Sequence, residues 1–414
     1  MNNTVTNTLT NTVTITSSPT TNTARNITGN SSGSNRLKGT RSCKLSLQNI
    51  DKFYGRGSHA VHAVKSLSMD VNDGEIVALL GSSGCGKTST LRMVAGFEAV
   101  SSGSILVDDK PIHQLRPAQR NVAMAFEGYS LYPPLTVREN IEFALKAARL
   151  PKTETDRRVA EIAQLLEIEN LMDRYPVSIS GGQQQRASLA RALIRDASLH
   201  LLDEPMGQLE PQLRAILRGR IKHFIKERGL TAILVTHDQV EANALADRIA
   251  VMEDGALQQL DTPDQLKAKP SNLFSGTFIG EPPMNVYTAT VSCEAQSVTF
   301  TLSPDTTLEY PTSDFDPAVL SQLQQLDSLV VGVRPYAVRR VSNGANALVV
   351  ANQWLGDQTH ISARFADSTL VLVEHDQTQL SRGEEIAIAI AADDLHLFDK
   401  DSGTAIAHAG ELAS

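Results

Sequence analysis

The stretch Gly81-Ser82-Ser83-Gly84-Cys85-Gly86-Lys87-Thr88 decides the fold of this 414-residue chain. Its glycines let backbone amides point inward around a phosphate, and the helix predicted from Lys87 adds its positive N-terminal end. Lys87 can then contact the β- and γ-phosphates of a nucleotide, and the Thr88 hydroxyl can ligate Mg²⁺. The apolar run at residues 75–80 predicts a buried parallel strand before the loop. Strand, loop and helix in this order predict a phosphate-binding site in an α/β core.

A second predicted strand, residues 199–202, ends in two carboxylates, Asp203 and Glu204. Asp203 at the strand tip can hold Mg²⁺ through water, and Glu204 can polarise an attacking water as a general base. Acidic pairs at strand ends are common, so the pair alone decides little. Its position about 115 residues after Lys87 favours one shared nucleotide site.

The string Ser180-Gly181-Gly182-Gln183-Gln184-Gln185-Arg186 opens a predicted helix shortly before that strand. Ser180 is a good N-cap, and the two glycines permit the close approach of an anion. The first three residues alone would fit an ordinary capped helix. The full string, about 20 residues before Asp203, favours a contact with nucleotide instead.

The first 34 residues differ in composition from the rest of the chain. Residues 1–34 contain 11 Thr, 7 Asn and 5 Ser, with Arg25 as the only charged side chain. Such a segment buries too little apolar surface to offset its ordering entropy, and it lacks the apolar stretch of a signal peptide. We therefore expect residues 1–43 to be a disordered tail, or the product of a start codon placed too far upstream.

Residues 44–281 are predicted to form a parallel-sheet core with a helical subdomain at about 128–198. Thr136 and Glu139 form a potential capping box that opens a helix over 137–150. A strand, helix, strand order after the insertion predicts a parallel crossover.

Residues 282–414 change character after Pro282-Pro283. Short β-rich segments separated by turn residues follow one another, and the longest helix predicted there spans 317–326. The pattern predicts a small β-barrel or sandwich domain, with its boundary near 281–285.

Composition and charge exclude several classes of protein. The net charge of −8 argues against non-specific nucleic-acid binding, because no basic stripe accompanies it. No run of about 18 apolar residues occurs, so the sequence predicts no helix that crosses a membrane. Cys43, Cys85 and Cys293 are widely separated and odd in number, which excludes a disulfide framework and fits a reducing cytoplasm.

The assembled motifs resemble the nucleotide-binding subunit of an ATP-binding cassette (ABC) transporter. The likeness includes the P-loop at 81–88, the signature at 180–186, the strand-end acidic pair, and Thr236-His237-Asp238 after the next strand. It covers about residues 44–400. It implies an α/β P-loop NTPase core with a helical subdomain, and two subunits packed head to tail with each ATP between one P-loop and the partner's signature.

The resemblance also implies roles by position. Glu204, His237 and Glu127 are implied to be catalytic. Thr88, Glu127 and Asp203 are implied to hold Mg²⁺. The positions implied to contact ATP are Tyr54, Gly81, Ser82, Ser83, Gly84, Cys85, Gly86, Lys87, Thr88, Ser89, Ser180, Gly182 and Gln183. Tyr54 would lie against the adenine. Ser180, Gly182 and Gln183 would lie against the γ-phosphate bound by the partner subunit.

Two positions depart from the family pattern. Glu127 stands where the family usually has glutamine, and Glu210 stands where it usually has aspartate. Both side chains keep an oxygen donor, but Glu127 adds a negative charge and Glu210 has a longer reach. We therefore expect weakened hydrolysis. In a homodimer each site would carry both changes, which favours a heterodimer with a second ATPase chain.

The C-terminal region resembles the oligonucleotide-binding-fold (TOBE) regulatory domain of sugar-importer ATPases. The motifs that carry this likeness are Gly332-Val333-Arg334-Pro335, Leu355-Gly356-Asp357 and Leu395-His396-Leu397-Phe398-Asp399. The resemblance implies the motor of an importer for a carbohydrate, polyol or glycerol-phosphate-like solute, peripheral on the cytoplasmic face of the membrane. Its partners would be integral permease subunits and a solute-binding protein, with no nucleic acid.

Permease helices are expected to contact the segment 127–134, where Tyr129, Leu131, Tyr132 and Pro133 offer apolar surface. Other interpretations stay open at this point. They are an importer ATPase for polyamine, iron or sulfate, a slow-turnover nucleotide-dependent regulator, and a soluble ABC ATPase of repair or translation.

Overall fold

The computed structural model describes residues 42–412, so nearly all of the predicted tail at 1–43 lies outside the described residues. The described chain forms two compact units that divide between Asp264 and Gln265. Among the described residues, no helix is both long and apolar enough to cross a membrane.

The first unit combines two sheets with the predicted helices. Its strands are β1 (Cys43–Tyr54), β2 (Val61–Asn72), β3 (Ile76–Gly81), β4 (Ser102–Val107), β5 (Lys110–Pro111), β6 (Val122–Ala125), β7 (Leu199–Asp203), β8 (Ala232–Thr236), β9 (Arg248–Glu253) and β10 (Ala256–Asp261). Its α-helices are α1 (Lys87–Ala95), α2 (Val137–Phe143), α3 (Lys152–Leu165), α4 (Gly181–Leu193), α5 (Pro211–Glu227) and α6 (Gln239–Leu245).

The central sheet has the strand order β10-β9-β3-β8-β7-β6, and its pairs are parallel except for β10 with β9. Every residue of β3, β7 and β8 is buried, as expected for strands covered on both faces. Because neighbouring parallel strands end at the same edge, the segments that follow these three strands lie side by side. Those segments carry the phosphate loop, the acidic pair and His237.

An antiparallel sheet with the order β2-β1-β4-β5 packs on the same unit. Leu45 and Leu47 of β1 are buried in one apolar cluster with Leu79 of β3 and Leu91 of α1. The end of β1 pairs with β2 through Tyr54 and Val61. This packing fixes the end of β1 beside the beginning of α1.

The helical insertion contains α2, α3 and α4. The capping box of Thr136 and Glu139 opens α2 as predicted, but α2 ends at Phe143 rather than at residue 150. The amides that follow bond to carbonyls three residues back, and Pro151 disfavours the α conformation just before it. The segment therefore tightens into a short 3₁₀ turn instead of continuing as an α-helix.

The second unit is built mostly from strands. Its helices are α7 (Pro263–Ala268), which begins at the junction, α8 (Leu273–Phe278) and α9 (Pro317–Leu323). Its strands are β11 (Asn285–Cys293), β12 (Ser297–Ser303), β13 (Thr306–Pro311), β14 (Ser328–Val333), β15 (Arg339–Val341), β16 (Ala345–Trp354), β17 (Thr359–Phe365), β18 (Ser368–Glu374), β19 (Glu385–Ala389), β20 (Leu395–Asp399) and β21 (Ala405–Ala407).

Two antiparallel sheets, β13-β12-β11-β14-β20-β21 and β15-β19-β16-β17-β18, share one apolar core in this unit. This confirms the predicted β-barrel or sandwich architecture, although the predicted helix at 317–326 ends at Leu323. The second unit begins before the change in sequence character at 281–285. Arg334 of this unit donates hydrogen bonds to the carbonyl oxygens of Lys267 and Gly276 at 2.9 and 2.8 Å. The domain limits 44–281 and 282–414 stay a prediction.

Candidate nucleotide-binding site

The phosphate loop follows β3 and leads directly into α1, as the sequence predicts. Gly86 has a φ of +99°, and a Cβ there would lie 2.5 Å from the Ala63 carbonyl oxygen. A Cβ on Gly81 would lie 2.2 Å from the Met252 carbonyl oxygen. Both positions therefore require glycine, because neighbouring backbone approaches too closely for any side chain.

Lys87 folds back across the loop. Its ammonium donates hydrogen bonds to the carbonyl oxygens of Gly81 and Ser82, both at 2.8 Å, and lies 3.7 Å from the Cys85 sulfur. Burial raises the pKa of the Cys85 thiol, so this group stays neutral beside the cation. Since the acceptors of Lys87 are neutral, an anionic phosphate can compete for its ammonium.

Thr88 and Asp203 meet at the edge of the central sheet. The Thr88 hydroxyl donates to a carboxylate oxygen of Asp203 at 3.3 Å. The pKa of Asp203 is raised to about 6, chiefly by burial and also by the charges of Glu127 and Glu204, while the Thr88 hydrogen bond opposes the shift. Oxygen donors with uncompensated negative charge suit a small hard cation such as Mg²⁺.

Glu204 follows β7 and faces His237, the residue after β8. Glu204 Oε1 lies 2.9 Å from His237 Nδ1. The side chain of Glu204 is only 16% exposed, whereas that of His237 is 73% exposed. The Glu204 carboxylate is thus mostly buried, and the His237 imidazole beside it lies nearer to solvent. The carboxylate can accept a proton from a water in the adjoining cleft.

The cleft that these groups surround has a volume of about 550 Å³. Its lining residues are Ala63, Ser83, Gly84, Gly86, Lys87, Thr88, Ser89, Glu127, Gln185, Glu204, Gly207, Gln208 and His237. The structure therefore brings the three predicted catalytic residues together with the P-loop. Asp203 is buried next to this lining, through its bond with Thr88.

Tyr54, predicted to face the adenine, lies beside the beginning of α1. Its hydroxyl is 3.2 Å from the Ser89 hydroxyl, which lines the cleft. The ammonium of Lys52 lies 4.7 Å from the centre of the Tyr54 ring and pairs with Glu98 at 2.8 Å. This cation–π contact fixes the ring next to the cleft.

The first residues of the signature lie elsewhere, whereas Gln185 of the same string lines the cleft. Ser180 is the N-cap of α4 and forms a capping box with Gln183, as its sequence predicts. Gly182 abuts the turn after β7, where a Cβ would lie 2.9 Å from the Gln208 carbonyl oxygen. Ser180, Gly182 and Gln183 are not among the residues that line the cleft of their own chain.

The two unusual glutamates occupy different places. Glu127 lines the cleft and contributes to the raised pKa of Asp203. Glu210 is the exposed N-cap of α5 and does not line the cleft. Within one chain, only Glu127 adds a charge to the site.

Two residues around the site, Gln185 and Arg214, were not predicted from the sequence. Gln185 bonds to the turn after β7, and Arg214 pairs at 3.2 Å with Asp238, which follows His237. Gln185 belongs to the signature string, which is the sequence signal that could have identified it. Arg214 has no comparable signal, because its contact depends on how α5 packs.

An apolar groove of about 420 Å³ lies between the core and the helical insertion. Its aromatic lining consists of Phe97, Phe126, Tyr132 and Phe143. Of the side chains expected to form a permease surface, Tyr132 lines this groove, but Tyr129, Leu131 and Pro133 do not. The Tyr129 hydroxyl instead lies 3.2 Å from the position of a Cβ on Gly181. Sequence spacing missed Phe97 and Phe143, since they come from distant segments.

Comparison with known proteins identifies the family. The model described as ABC transporter matches residues 64–207, and that described as TOBE domain matches residues 331–398. The chain is 36% identical to an sn-glycerol-3-phosphate import ATP-binding protein of Agrobacterium fabrum, over 86% of this chain and 98% of that protein. The chain belongs to the ABC transporter ATP-binding family.

Other members of this family are also similar to the chain. It is 39% identical to a trehalose/maltose import ATP-binding protein of Thermococcus litoralis, over 87% of this chain and 98% of that protein. It is 37% identical to a xylose/arabinose import ATP-binding protein of Haloferax volcanii, over 88% of this chain and 95% of that protein. The dimeric structure of MJ0796, a bacterial ABC transporter cassette, matches with a TM-score of 0.50 and 28% identity over 53% of this chain and 98% of that one. The predicted P-loop NTPase core and C-terminal TOBE domain are thus confirmed.

Proposed function

We propose that this ABC family member is the ATP-hydrolysing motor of an importer for a carbohydrate, polyol or glycerol-phosphate-like solute. The observation that carries the proposal is the single cleft in which Lys87, Thr88, Glu127, Glu204 and His237 meet. The names of the similar import proteins, which concern glycerol phosphate, trehalose or maltose, and xylose or arabinose, support the solute class.

ATP would bind with its phosphates in the loop at 81–88. Lys87 would exchange its carbonyl partners for β- and γ-phosphate oxygens, and the N-terminus of α1 would favour their negative charge. Gly81 to Ser89 would supply the surrounding donors, and Tyr54 would stack on the adenine. The neutral acceptors of Lys87 support this exchange.

Mg²⁺ would be held by Thr88, Asp203 and Glu127. Their hydroxyl and carboxylate oxygens fit the preference of this cation. Burial is the main cause of the raised pKa of Asp203, and a bound cation would offset the negative charges of Glu127 and Glu204 that add to it. When bound, the metal would neutralise charge on the phosphates.

Glu204 would act as the general base of hydrolysis. It would accept a proton from the water whose oxygen attacks the γ-phosphorus, and the phosphate would leave ADP as the bond to the bridging oxygen breaks. His237, next to Glu204 on the open side, would contact the γ-phosphate. The 2.9 Å contact between these two side chains supports their joint placement.

Dimerisation would complete the site. Ser180, Gly182 and Gln183 would contact the γ-phosphate of the partner subunit, which agrees with their place outside their own cleft. The aromatic groove at Phe97 and Tyr132 would receive a permease helix, because it joins the core to the helical insertion. The chain would thus work peripherally at the cytoplasmic face, with permease subunits, a solute-binding protein and no nucleic acid.

A slow-turnover regulatory subunit is the second candidate. It is favoured by Glu127, which lines the cleft as a carboxylate where the family usually has an amide. Glutamate cannot donate the hydrogen bond that glutamine offers to a phosphate or a water. A low turnover that permease vesicles do not stimulate would select this candidate.

The proposal is tested by uptake in cells that lack this chain. The panel contains labelled glycerol 3-phosphate, maltose, trehalose, xylose and arabinose, with a polyamine, ferric iron and sulfate as alternatives. We expect loss of uptake of a solute from the first group, restored by the wild-type chain but not by Lys87→Ala. Loss confined to the second group would contradict the solute class, and unchanged uptake throughout would contradict the motor role.

A further inference from the structure

The turn that carries Glu204 starts from an unusual backbone conformation. The φ of Glu204 is +47°, in the left-handed region that residues other than glycine rarely adopt. Such a conformation persists only where the surrounding contacts hold it. One of these contacts comes from β8, because the Glu204 amide donates a hydrogen bond to the Val235 carbonyl oxygen at 2.9 Å.

Within the turn, the Gly207 amide donates to the Glu204 carbonyl oxygen at 3.4 Å. A shorter contact comes from a single side chain on α4. The amide nitrogen of Gln185 donates to the Glu204 carbonyl oxygen at 2.7 Å, and its amide oxygen accepts from the Gln208 backbone N–H at 2.9 Å. Gln185 is 4% exposed, so water competes little for either bond. Both ends of the turn at 204–208 are thus held by one planar group.

We propose that Gln185 is a positioning residue that sets the carboxylate of Glu204 for hydrolysis by clamping the turn at 204–208. The inference rests on the proposed role of Glu204 as general base. Gln185 touches the backbone of the base residue rather than the reacting atoms, so its loss changes the rate through geometry. A misplacement of about 1 Å at a reacting group can cost about 10²-fold in rate.

The chain offers a matched control outside the site. Gln164 is an exposed residue of α3 and does not line the nucleotide cleft. Gln164→Met and Gln185→Met make the same chemical change. Only the second removes a contact with the turn that carries Glu204.

The experiment compares steady-state ATP hydrolysis and nucleotide affinity of the full chain with both substitutions. We expect Gln185→Met to lower kcat by about 10- to 100-fold, with ATP affinity changed less than threefold. The unfolding midpoint should fall as well, because two shielded hydrogen bonds are lost. Gln164→Met should leave kcat within about twofold. A kcat of Gln185→Met within twofold of wild type would overturn the inference.

A second variant keeps the test decisive if Gln185→Met fails to fold. In Gln185→Glu, the new carboxylate can accept from the Gln208 N–H but can donate to the Glu204 carbonyl only when protonated. At pH 8 this carboxylate is ionised, so the kcat of Gln185→Glu should be at least tenfold below that of wild type. A kcat of Gln185→Glu within twofold of wild type at pH 8 would contradict the clamp. Absence of hydrolysis by the wild-type chain would instead count against the proposed function.

Discussion

Replacing Glu204 by glutamine removes the proton acceptor of the cleft while keeping the shape of the side chain. A positioned general base contributes about 10²–10⁴-fold to a rate, which corresponds to about 3–5.5 kcal/mol of barrier. We therefore expect kcat to fall by at least 100-fold. Stability should change little, because the contact with the exposed His237 ring contributes about 0–1 kcal/mol.

ATP affinity should be kept or slightly increased, because Glu204→Gln removes a negative charge near the phosphates. The assay is phosphate release under saturating Mg-ATP, with nucleotide affinity and dimer mass measured on the same samples. Glu227→Gln is the control, since that side chain is 70% exposed and lies outside the cleft. Turnover by Glu204→Gln within tenfold of wild type would refute the assignment of the base.

The remaining predictions concern the phosphate loop, the signature, the metal site and the assembly. Lys87→Ala should weaken ATP binding itself, measured by calorimetry, and unchanged affinity would contradict the P-loop role. Ser180→Arg should stop hydrolysis yet leave ATP binding to the monomer intact, and loss of monomer binding would contradict a role across the dimer. The folded-state pKa of Asp203 is about 6, above its ordinary value of 3.8, so its carboxylate destabilises the nucleotide-free fold once the pH rises through that range. Asp203→Asn should then raise the unfolding midpoint at pH 8 but not near pH 4, and an equal gain at both would contradict the shift. Because of Glu127 and Glu210, we expect the complex purified from native membranes to contain a second ATPase chain, which the mass of the intact complex would reveal. A complex with two copies of this chain and no second ATPase, transporting at full rate, would contradict the heterodimer.

The sequence predicted the parts of the fold that depend on local pattern. The buried strands β3 and β7 have continuous apolar runs, and the loop after β3 has glycines that the backbone geometry requires. The capping boxes at Thr136 and Ser180 form as their spacing predicts. Since parallel strands end at a common edge of the sheet, the motifs after β3, β7 and β8 could be assigned to one site from the sequence alone.

Features that depend on tertiary packing could not be predicted in this way. The end of α2 at Phe143 has no glycine or proline of its own to mark it. The clamp by Gln185 joins two segments that are separate in sequence, and the groove lined by Phe97 and Phe143 combines residues from the core and the insertion. The two units divide after Asp264, and no change of composition marks this point. The hydrogen bonds from Arg334 to the helices α7 and α8 are likewise not visible in the sequence pattern.

We propose that this chain hydrolyses ATP as part of a membrane transporter. The most direct measurement is Mg-ATP hydrolysis by the complex that co-purifies with the tagged chain from native membranes, with wild type and Glu204→Gln compared side by side. We expect integral permease subunits to co-purify with both forms. Hydrolysis at the site of this chain should fall by at least 100-fold in the variant, while a second ATPase chain keeps the hydrolysis of its own site. Total hydrolysis by the variant complex equal to that of wild type, or a chain that brings no permease subunit with it, would contradict this role.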